Sequence, residues 1–203
     1  MADCDASATL ILRDGRPVAV RLLRSSDVDP FATFLAGLSE RTRGFYGPHR
    51  FDRATAERLC AELDPTRTRR YVAVLDDGTP AAEIIGYMIL TREISAGDVA
   101  RYAAHGPALH LGRCAAFAPS IADAYQEQGL GTEMARLVLR RAAALGLSQV
   151  ILMGGVQARN GRARRLYERL GFRRVGTFEV TRDGQRIDNL DMILDTTWDY
   201  ARR

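Results

Sequence analysis

The chain has 203 residues, of which 46% are hydrophobic and 27% charged, and it has a formal net charge of +4. These values fit one globular domain with a sizeable core, spanning residues 1–203. The basic residues are spread along the chain without a basic block, and no apolar run reaches the roughly 18 residues of a membrane span. We therefore expect neither a nucleic acid nor a membrane as a partner.

The cysteines and the N-terminus bear on the cellular compartment. Cys4, Cys60 and Cys114 are scattered and lack the spacing of metal ligands, which favours reduced thiols and no bound metal. The N-terminal segment is acidic and does not show the charged-then-apolar pattern of a secretion signal. A cytoplasmic location is therefore expected.

Strand and helix patterns alternate through the first 63 residues. Residues 9–12 and 18–23 are apolar runs around Arg13-Asp14-Gly15-Arg16, which predicts a β-hairpin. The spacing of apolar residues predicts a helix over 28–38, and a second helix begins at Asp52 and continues through residue 63.

The middle of the chain is predicted to be mostly strand. Residues 71–75 and 84–90 are apolar and form two strands, and the less regular segment 92–108 is a loop or short helix. Residues 109–121 then predict a long strand that is interrupted at Pro119, because proline is tolerated only at a bulge or an unpaired strand edge.

The last third of the chain alternates helix and strand before a final hairpin. The predicted elements are a helix from Leu130, a buried strand at 150–153, a helix opened by Asn160, and strands at 174–181 and 187–194.

Two glycines stand where the first of these helices begins, in Gln126-Glu127-Gln128-Gly129-Leu130-Gly131-Thr132. A helix start exposes unpaired N–H groups and about half a positive charge, and glycines allow close approach to that backbone. We predict a loop that binds phosphate or pyrophosphate, to which Gln126 adds an amide donor; an ordinary tight turn is the alternative. The absence of a following lysine excludes a Walker-type loop, and the missing GxGxxG spacing disfavours a dinucleotide fingerprint.

A second motif lies downstream, where residues 160–172 read NxxAxxLYxxxGF. Together with the QxxGxG upstream, it resembles the GNAT superfamily of acyl-CoA-dependent N-acyltransferases, most specifically over about residues 84–194. The resemblance implies a single-domain α/β (α+β) fold with a mixed central sheet of about six to seven strands, flanked by about four helices. It also implies that the neighbouring strands at 109–121 and 150–153 splay apart.

The resemblance further implies an acetyl-CoA site. The pyrophosphate would lie on the glycine loop, and the pantetheine arm would enter the splay and pair with strand backbone. Tyr167 matches the residue that usually serves as the acid toward the departing sulfur; the alternative is a core aromatic one helical turn beyond Ala163, on the inner face of the helix. Arg162 and Arg164 either contact the CoA 3′-phosphate or form a solvated helix face. The cofactor-binding residues predicted in this way are Ile121, Ala122, Gln126, Gln128, Gly129, Leu130, Gly131, Thr132, Asn160, Arg162 and Arg164.

The identity of the general base stays open at this stage. A glutamate is frequent in the family at the position that Ala116 occupies. His110 lies six residues earlier on the predicted strand, so it would face the same side as Ala116, and it is our catalytic candidate; a purely structural histidine is the alternative. Asp123 is better suited to fixing a turn, and Glu83 and Glu93 flank another strand.

The activity implied by the resemblance is N-acetyl transfer from acetyl-CoA to a primary amine within a ternary complex. A covalent intermediate on Cys114 is disfavoured, because no activating partner is close in sequence. A site without a strong base favours amines of low pKa, such as the α-amine of a small molecule or peptide. The alternatives are a non-catalytic acyl-CoA-binding or sensing module and a protein lysine acetyltransferase. The first two helices, segment 92–108 and the C-terminal hairpin are expected to form the acceptor pocket, and exposed strand edges allow a homodimer.

Overall fold

A computed structural model of the chain describes residues 6–106, 108–182 and 184–196. These residues form one sheet of nine strands and six α-helices. The strands are β1 (Ala8–Ile11), β2 (Pro17–Leu22), β3 (Thr68–Leu75), β4 (Glu83–Thr91), β5 (Cys114–Ile121), β6 (Gln149–Leu152), β7 (Val156–Gln157), β8 (Arg173–Arg182) and β9 (Gln185–Asp195). The helices are α1 (Val28–Gly37), α2 (Glu40–Phe45), α3 (Arg53–Ala61), α4 (Ala96–His105), α5 (Leu130–Ala144) and α6 (Gly161–Arg169).

The strands are arranged in the order β1-β2-β3-β4-β5-β6-β9-β7, and β8 pairs with β9. All neighbours are antiparallel except β5 and β6, which are parallel. The predicted α/β class with a mixed sheet is confirmed, but the counts of six to seven strands and four helices are too low. The short β7 and the polar helix α2 lack the apolar periodicity on which the prediction depended.

Helices cover both faces of the sheet. On one face, Tyr71, Met88 and Phe117 pack in one apolar cluster with Met134 and Val138 of α5. On the other face, the sheet residues pack in a second cluster with Phe31 and Leu35 of α1 and Leu59 of α3; these sheet residues are Val72, Val74, Tyr87 and Ile89. The sheet is therefore the middle of three layers, and its strands are mostly apolar on both sides.

The sheet opens between β5 and β6. The two strands pair only from Cys114 opposite Gln149 to Phe117 opposite Leu152. Gly154 and Gly155 follow with positive φ angles of 66° and 72°, and the chain moves to β7, which pairs with β9 instead of β5. The last four residues of β5 therefore border a gap, which is the splay that the family resemblance implies.

Pro119 lies on the open edge of β5. The Phe117 carbonyl accepts from Met153 N–H on the β6 side, whereas the Ala122 N–H donates to Ile85 on the β4 side. Because the bonding direction alternates along a strand, Pro119 and Ile121 direct their backbone groups into the gap. A proline is tolerated there since it has no N–H to leave unpaired.

The start of β5 differs from the sequence prediction. Leu111–Arg113 forms a 3-10 turn, and the strand begins only at Cys114. His110 is therefore exposed ahead of the strand and does not lie on its face; its N–H donates to Oε1 of Gln149 at 2.8 Å. Among the described residues, no helix has both the length and the apolar character needed to cross a membrane.

Candidate active site

The loop between β5 and α5 presents unpaired backbone donors. Glu127 and Gly129 have positive φ angles of 60° and 92°, and α5 begins at Leu130. The first hydrogen bonds of the helix run from the Thr132 and Glu133 N–H groups to the Gly129 carbonyl. In the described part of the chain, the N–H groups of residues 127–131 donate to no protein acceptor. This is the arrangement that binds phosphate oxygens at a helix start.

Glycine is needed at the two positions for different structural reasons. Gly129 adopts a left-handed conformation that disfavours side chains, and a Cβ built there would meet no atom within 4 Å. A Cβ on Gly131 would lie 3.3 Å from Cγ1 of Ile121, so this glycine allows α5 to begin close to the end of β5. The space above the loop stays open to a ligand, and the helix start lies against the strand.

The Gln126 side chain organises the loop. Its Nε2 donates to the Ile121 carbonyl at 2.9 Å and to Thr42 Oγ1 at 3.2 Å. Its Oε1 accepts from Nη1 of Arg162 at 2.7 Å. Another nitrogen of the same guanidinium pairs with Glu127 at 2.8 Å. Gln126 thus joins the end of β5, the helix α2 and the start of α6.

Asp123 joins the loop to α2. Its carboxylate accepts from the Ser39 N–H at 2.9 Å, the Ser39 hydroxyl at 2.8 Å and the Thr42 hydroxyl at 2.7 Å. Partial burial raises the pKa of this carboxyl, but the hydrogen bonds from Ser39 and Thr42 outweigh it and hold the pKa below its usual value. Asp123 therefore serves as an anionic anchor, consistent with a role in fixing the loop.

Helix α2 spans the two sides of the gap. Its N-terminal end is held by Asp123, and its Gly44 carbonyl accepts from Nε2 of Gln157 in β7 at 2.7 Å. The Arg159 guanidinium lies 5.5 Å from the centre of the Phe45 ring. Sequence reasoning missed α2, although Ser39 is an N-cap whose hydroxyl accepts from the Thr42 N–H, a signal that could have located it.

Helix α6 brings Asn160 and Tyr167 to the gap. The Asn160 side chain accepts from the Ala163 N–H at 3.1 Å and caps the helix. Tyr167 is buried, and its ring centre lies 5.5 Å from that of Phe172. Burial raises the pKa of Tyr167 above its usual value, so the phenol stays protonated at neutral pH.

A cavity of about 640 Å³ connects these parts. It is lined by the loop, the end of β5, α2 and α6, and Tyr167 lies in the same cavity as the glycine loop. The predicted site residues that line it are Ile121, Gln126, Gly129, Gly131, Thr132, Asn160, Arg162 and Tyr167. Residues that sequence reasoning did not select also line it, among them Arg41, Thr42, Phe45, Tyr46 and Ser120.

Other predicted site residues lie outside the cavity lining. The Leu130 side chain is in the core, Gln128 Nε2 donates to the Ala124 carbonyl at 2.7 Å, and the Ala122 N–H is used by β4. Arg164 Nη1 donates to the Ala158 carbonyl at 3.2 Å, behind the helix start. The structure also does not bring His110 into the cavity, because the residue precedes β5 at the end remote from the loop.

The remaining candidates for the base are no better placed. Glu93 pairs with Arg67, and Glu83 accepts from the Tyr125 hydroxyl at 3.4 Å. Ala116 is buried among apolar residues. Among the described residues that line the cavity, the carboxylates are those of Asp123 and Glu127, and both are engaged with protein donors.

The expected acceptor pocket needs a partial correction. The predicted helices 28–38 and 52–63 are α1 and α3, and none of their residues lines the cavity, nor do the described residues of segment 92–108 or of β8 and β9; the unpredicted α2 lines it instead. Helix α4 packs on β8 instead: a Cβ on Gly176 would lie 2.9 Å from Cβ of His105. Arg101 pairs with the fully buried Asp191 at 3.1 Å, which joins α4 to the hairpin.

Solved structures with similar folds include acetyltransferases. Ribosomal-protein-S5-alanine acetyltransferase from Vibrio fischeri has a TM-score of 0.72 at 16% identity, over 97% of this chain and 99% of that one. A spermidine N-acetyltransferase SpeG chimera from Vibrio cholerae and hSSAT has a TM-score of 0.68 at 21% identity, over 92% and 99%. Mycobacterium smegmatis RimJ in complex with CoA-disulfide has a TM-score of 0.67 at 19% identity, over 93% and 86%.

These likenesses are below 25% identity and establish the fold. Comparison with curated proteins gives no match. The sequence profile described as "Acetyltransferase (GNAT) domain" matches residues 18–173, which is most of the chain and includes the loop, Asn160 and Tyr167. This protein is therefore a member of the GNAT acetyltransferase family.

Proposed function

We propose that the protein transfers an acetyl group from acetyl-CoA to a primary α-amine of a small molecule or peptide, by direct attack in a ternary complex. The observation that carries this proposal is the shared cavity, in which the unpaired N–H groups before α5 lie at one part and Tyr167 at another. A phosphate-binding end and an acid beside one gap in the sheet are what thioester transfer requires.

The loop fits the diphosphate of CoA. Five successive N–H groups without protein acceptors, at the positive end of a fifteen-residue helix, provide donors for anionic oxygens. The open space at Gly129 leaves room for the ligand, and the Ile121 N–H on the unpaired strand edge suits an amide of the pantetheine arm. Arg162, held beside the loop, contributes positive charge.

Tyr167 is suited to the role of acid. When the amine attacks the thioester carbonyl, the C–S bond breaks and the sulfur leaves as a thiolate, whose conjugate thiol has a pKa of about 8.5. A phenol has a pKa of about 10, and the raised pKa of Tyr167 keeps its proton in place until the thiolate forms. The proton then passes from the Tyr167 oxygen to the sulfur, while the attacking nitrogen releases one proton to water as it becomes the amide, and the tyrosinate regains a proton from water.

The lining of the cavity favours amines of low pKa. Deprotonating a lysine side chain at pH 7 costs about 4.6 kcal/mol, whereas an α-amine of pKa near 8 costs about 1.4 kcal/mol. The two carboxylates of the described lining already accept protein hydrogen bonds, and neither is a free base. An acceptor that is partly neutral before it binds therefore suits this site better than a lysine side chain.

The proposal is tested by following CoA thiol release from acetyl-CoA with a panel of amines at neutral pH. Glycinamide and short peptides should support release, and Nα-blocked lysine should be poorer by at least tenfold in kcat/KM. Equal efficiency on blocked lysine would identify a lysine acetyltransferase instead. Binding of acetyl-CoA without release of CoA thiol for any amine would identify a non-catalytic binding module. That alternative is suggested by Ala116, which occupies the position of the family's frequent glutamate.

A further inference from the structure

Buried polar atoms without a hydrogen-bond partner gather on the sheet face that α1 and α3 cover. Five of the eight such atoms in the described part of the chain belong to Tyr46, His49, Arg70, Tyr87 and Ser120. An unpartnered buried polar group costs about 1–3 kcal/mol, and native proteins contain few of them. Two of the residues, Tyr46 and Ser120, line the cavity, which points to a ligand that would supply their missing partners.

Three of these atoms are hydroxyls on nearly inaccessible side chains. Tyr46 and Ser120 are each 7% exposed, and Tyr87 is 0% exposed. Tyr46 and Ser120 line the same cavity as Tyr167. Tyr87 lies directly opposite Ser120 on the neighbouring strand β4, so the two side chains share one face of the sheet. The hydroxyls therefore extend from the cavity wall into the layer beneath α1.

His49 adds a hydrogen-bond acceptor to this group. Its ring centre lies 5.4 Å from that of Tyr46 and 5.7 Å from that of Tyr87. Its Nδ1 is 2.7 Å from the Arg50 carbonyl. Because a carbonyl can only accept, Nδ1 carries the proton of the neutral ring and the unpartnered Nε2 carries a lone pair.

The ring of His49 is neutral at pH 7. Burial lowers the pKa of His49; the hydrogen bond to Arg50 and the charge of Asp52 oppose this effect, and the charges of Arg70 and Arg58 reinforce it. The cluster thus offers the hydroxyls of Tyr46 and Ser120 at the cavity wall, with His49 Nε2 as a fixed acceptor behind them.

We propose that Tyr46 and Ser120 in the cavity wall, with Tyr87 and His49 behind them, form the acceptor subsite and that it binds an amine with a carbonyl or carboxyl oxygen on the adjacent carbon. Such an amino-acyl amine supplies an oxygen that accepts from the Tyr46 and Ser120 hydroxyls and N–H groups that donate to them. This inference rests on the proposed acetyl transfer.

The charge of the cavity agrees with this ligand. Its described lining contains five arginines and two carboxylates. A polyamine offers N–H donors alone and several positive charges, so it would meet like charge in this cavity. The arginines are Arg13, Arg41, Arg162, Arg165 and Arg169.

The test removes one oxygen at a time. Tyr46→Phe and Ser120→Ala are each assayed with glycinamide at saturating acetyl-CoA, and then with acetyl-CoA varied. Loss of one ligand hydrogen bond should raise the KM for glycinamide about three- to tenfold and leave the KM for acetyl-CoA unchanged. The melting temperature should stay equal or rise, because each change removes an unpartnered buried polar atom.

Tyr102→Phe is the matched control. The Tyr102 hydroxyl is equally buried but donates to the Met192 carbonyl at 2.7 Å, far along the chain from the cavity residues. This variant should have a lower melting temperature and a wild-type KM for glycinamide. The opposite behaviour of the two kinds of buried hydroxyl separates ligand binding from packing.

The outcomes distinguish this inference from the proposed function. Wild-type KM values for glycinamide in both variants would overturn the subsite while leaving acetyl transfer established by the wild-type turnover. Preference of the wild-type protein for spermidine over glycinamide, glycine and a glycyl peptide would also overturn it. Among the favoured acceptors, a lower KM for the glycyl peptide than for glycine would identify peptide N-termini as the preferred acceptor. Absence of turnover with every amine would overturn the proposed function, and the subsite with it.

Discussion

The Arg162 guanidinium donates to Oε1 of Gln126 at 2.7 Å and pairs with the Glu127 carboxylate at 2.8 Å. The start of α6 is thereby joined to the loop whose N–H groups precede α5. The two motifs, whose contacting residues Gln126 and Arg162 are 36 positions apart in the sequence, form one structural unit that lines the cavity.

This contact predicts the effect of Arg162 on the binding of acetyl-CoA. Arg162→Ala should raise the KM for acetyl-CoA about three- to fivefold at low ionic strength, because it leaves the Glu127 charge uncompensated beside the diphosphate. Adding Glu127→Gln should restore most of the loss, and measurement of KM in all three variants checks the coupling. A double variant no better than Arg162→Ala would show that the arginine contacts the cofactor itself instead of neutralising Glu127.

Gly129→Ala should weaken both folding and cofactor binding. A φ of 92° is unfavourable for a residue with a Cβ, so we expect a loss of about 1 kcal/mol in the free energy of unfolding. The loop should relax and the KM for acetyl-CoA should rise. Gly112→Ala is the control, since that glycine has no positive φ and a Cβ there meets no atom within 4 Å. Equal effects of the two substitutions on the free energy of unfolding and on the KM for acetyl-CoA would contradict the requirement for a left-handed backbone at Gly129.

Tyr167→Phe should lower kcat by about 100-fold or more if the phenol is the acid. The ring and its contact with Phe172 are retained, so the melting temperature and the KM for acetyl-CoA should change little. Steady-state kinetics with glycinamide measures both constants. A kcat close to that of the wild type would assign proton transfer to another group or to water.

Cys114→Ala should leave catalysis intact. Burial raises the pKa of the Cys114 thiol to about 12, so the thiolate that a covalent mechanism needs is scarce at neutral pH. The variant should lose about 1 kcal/mol of stability through lost packing. Thiol-release kinetics together with chemical denaturation separates the two effects. Near-complete loss of turnover in a folded variant would point to an acetyl-cysteine intermediate.

Asp123→Asn should destabilise the protein in a pH-dependent way. The pKa of Asp123 is lower in the folded state than in the unfolded chain, so its contribution is present above the unfolded pKa of about 3.9 and is lost as the pH falls through the folded pKa. The difference in unfolding free energy between wild type and variant should be constant from pH 7 to pH 5 and narrow below pH 4. A difference that does not change down to pH 3 would exclude the anionic anchor between the loop and α2.

Sequence patterns predicted the parts of the site that depend on local backbone. The glycine loop, the cap at Asn160 and the position of Tyr167 on an inner helix face all follow from short-range spacing. The gap in the sheet was implied by the family resemblance, and Gly154 and Gly155 give it a physical cause.

The parts that depend on tertiary contacts were not predictable in the same way. Helix α2 has six residues and no buried ones, and it is held by Asp123 and Gln157 from distant elements. The prediction that His110 lies on the strand face was wrong because it began the strand at residue 109, ahead of the 3-10 turn, and apolar spacing locates such boundaries poorly. Tyr46 and Ser120 can be identified as candidate site residues only from the cavity that they line together.

The most direct test of the account is a crystal structure of the protein with CoA. We predict diphosphate oxygens within about 3 Å of the N–H groups of residues 127–131, with the thiol end in the gap between β5 and β7 near Tyr167. A diphosphate bound elsewhere, with those N–H groups facing only solvent, would contradict the account.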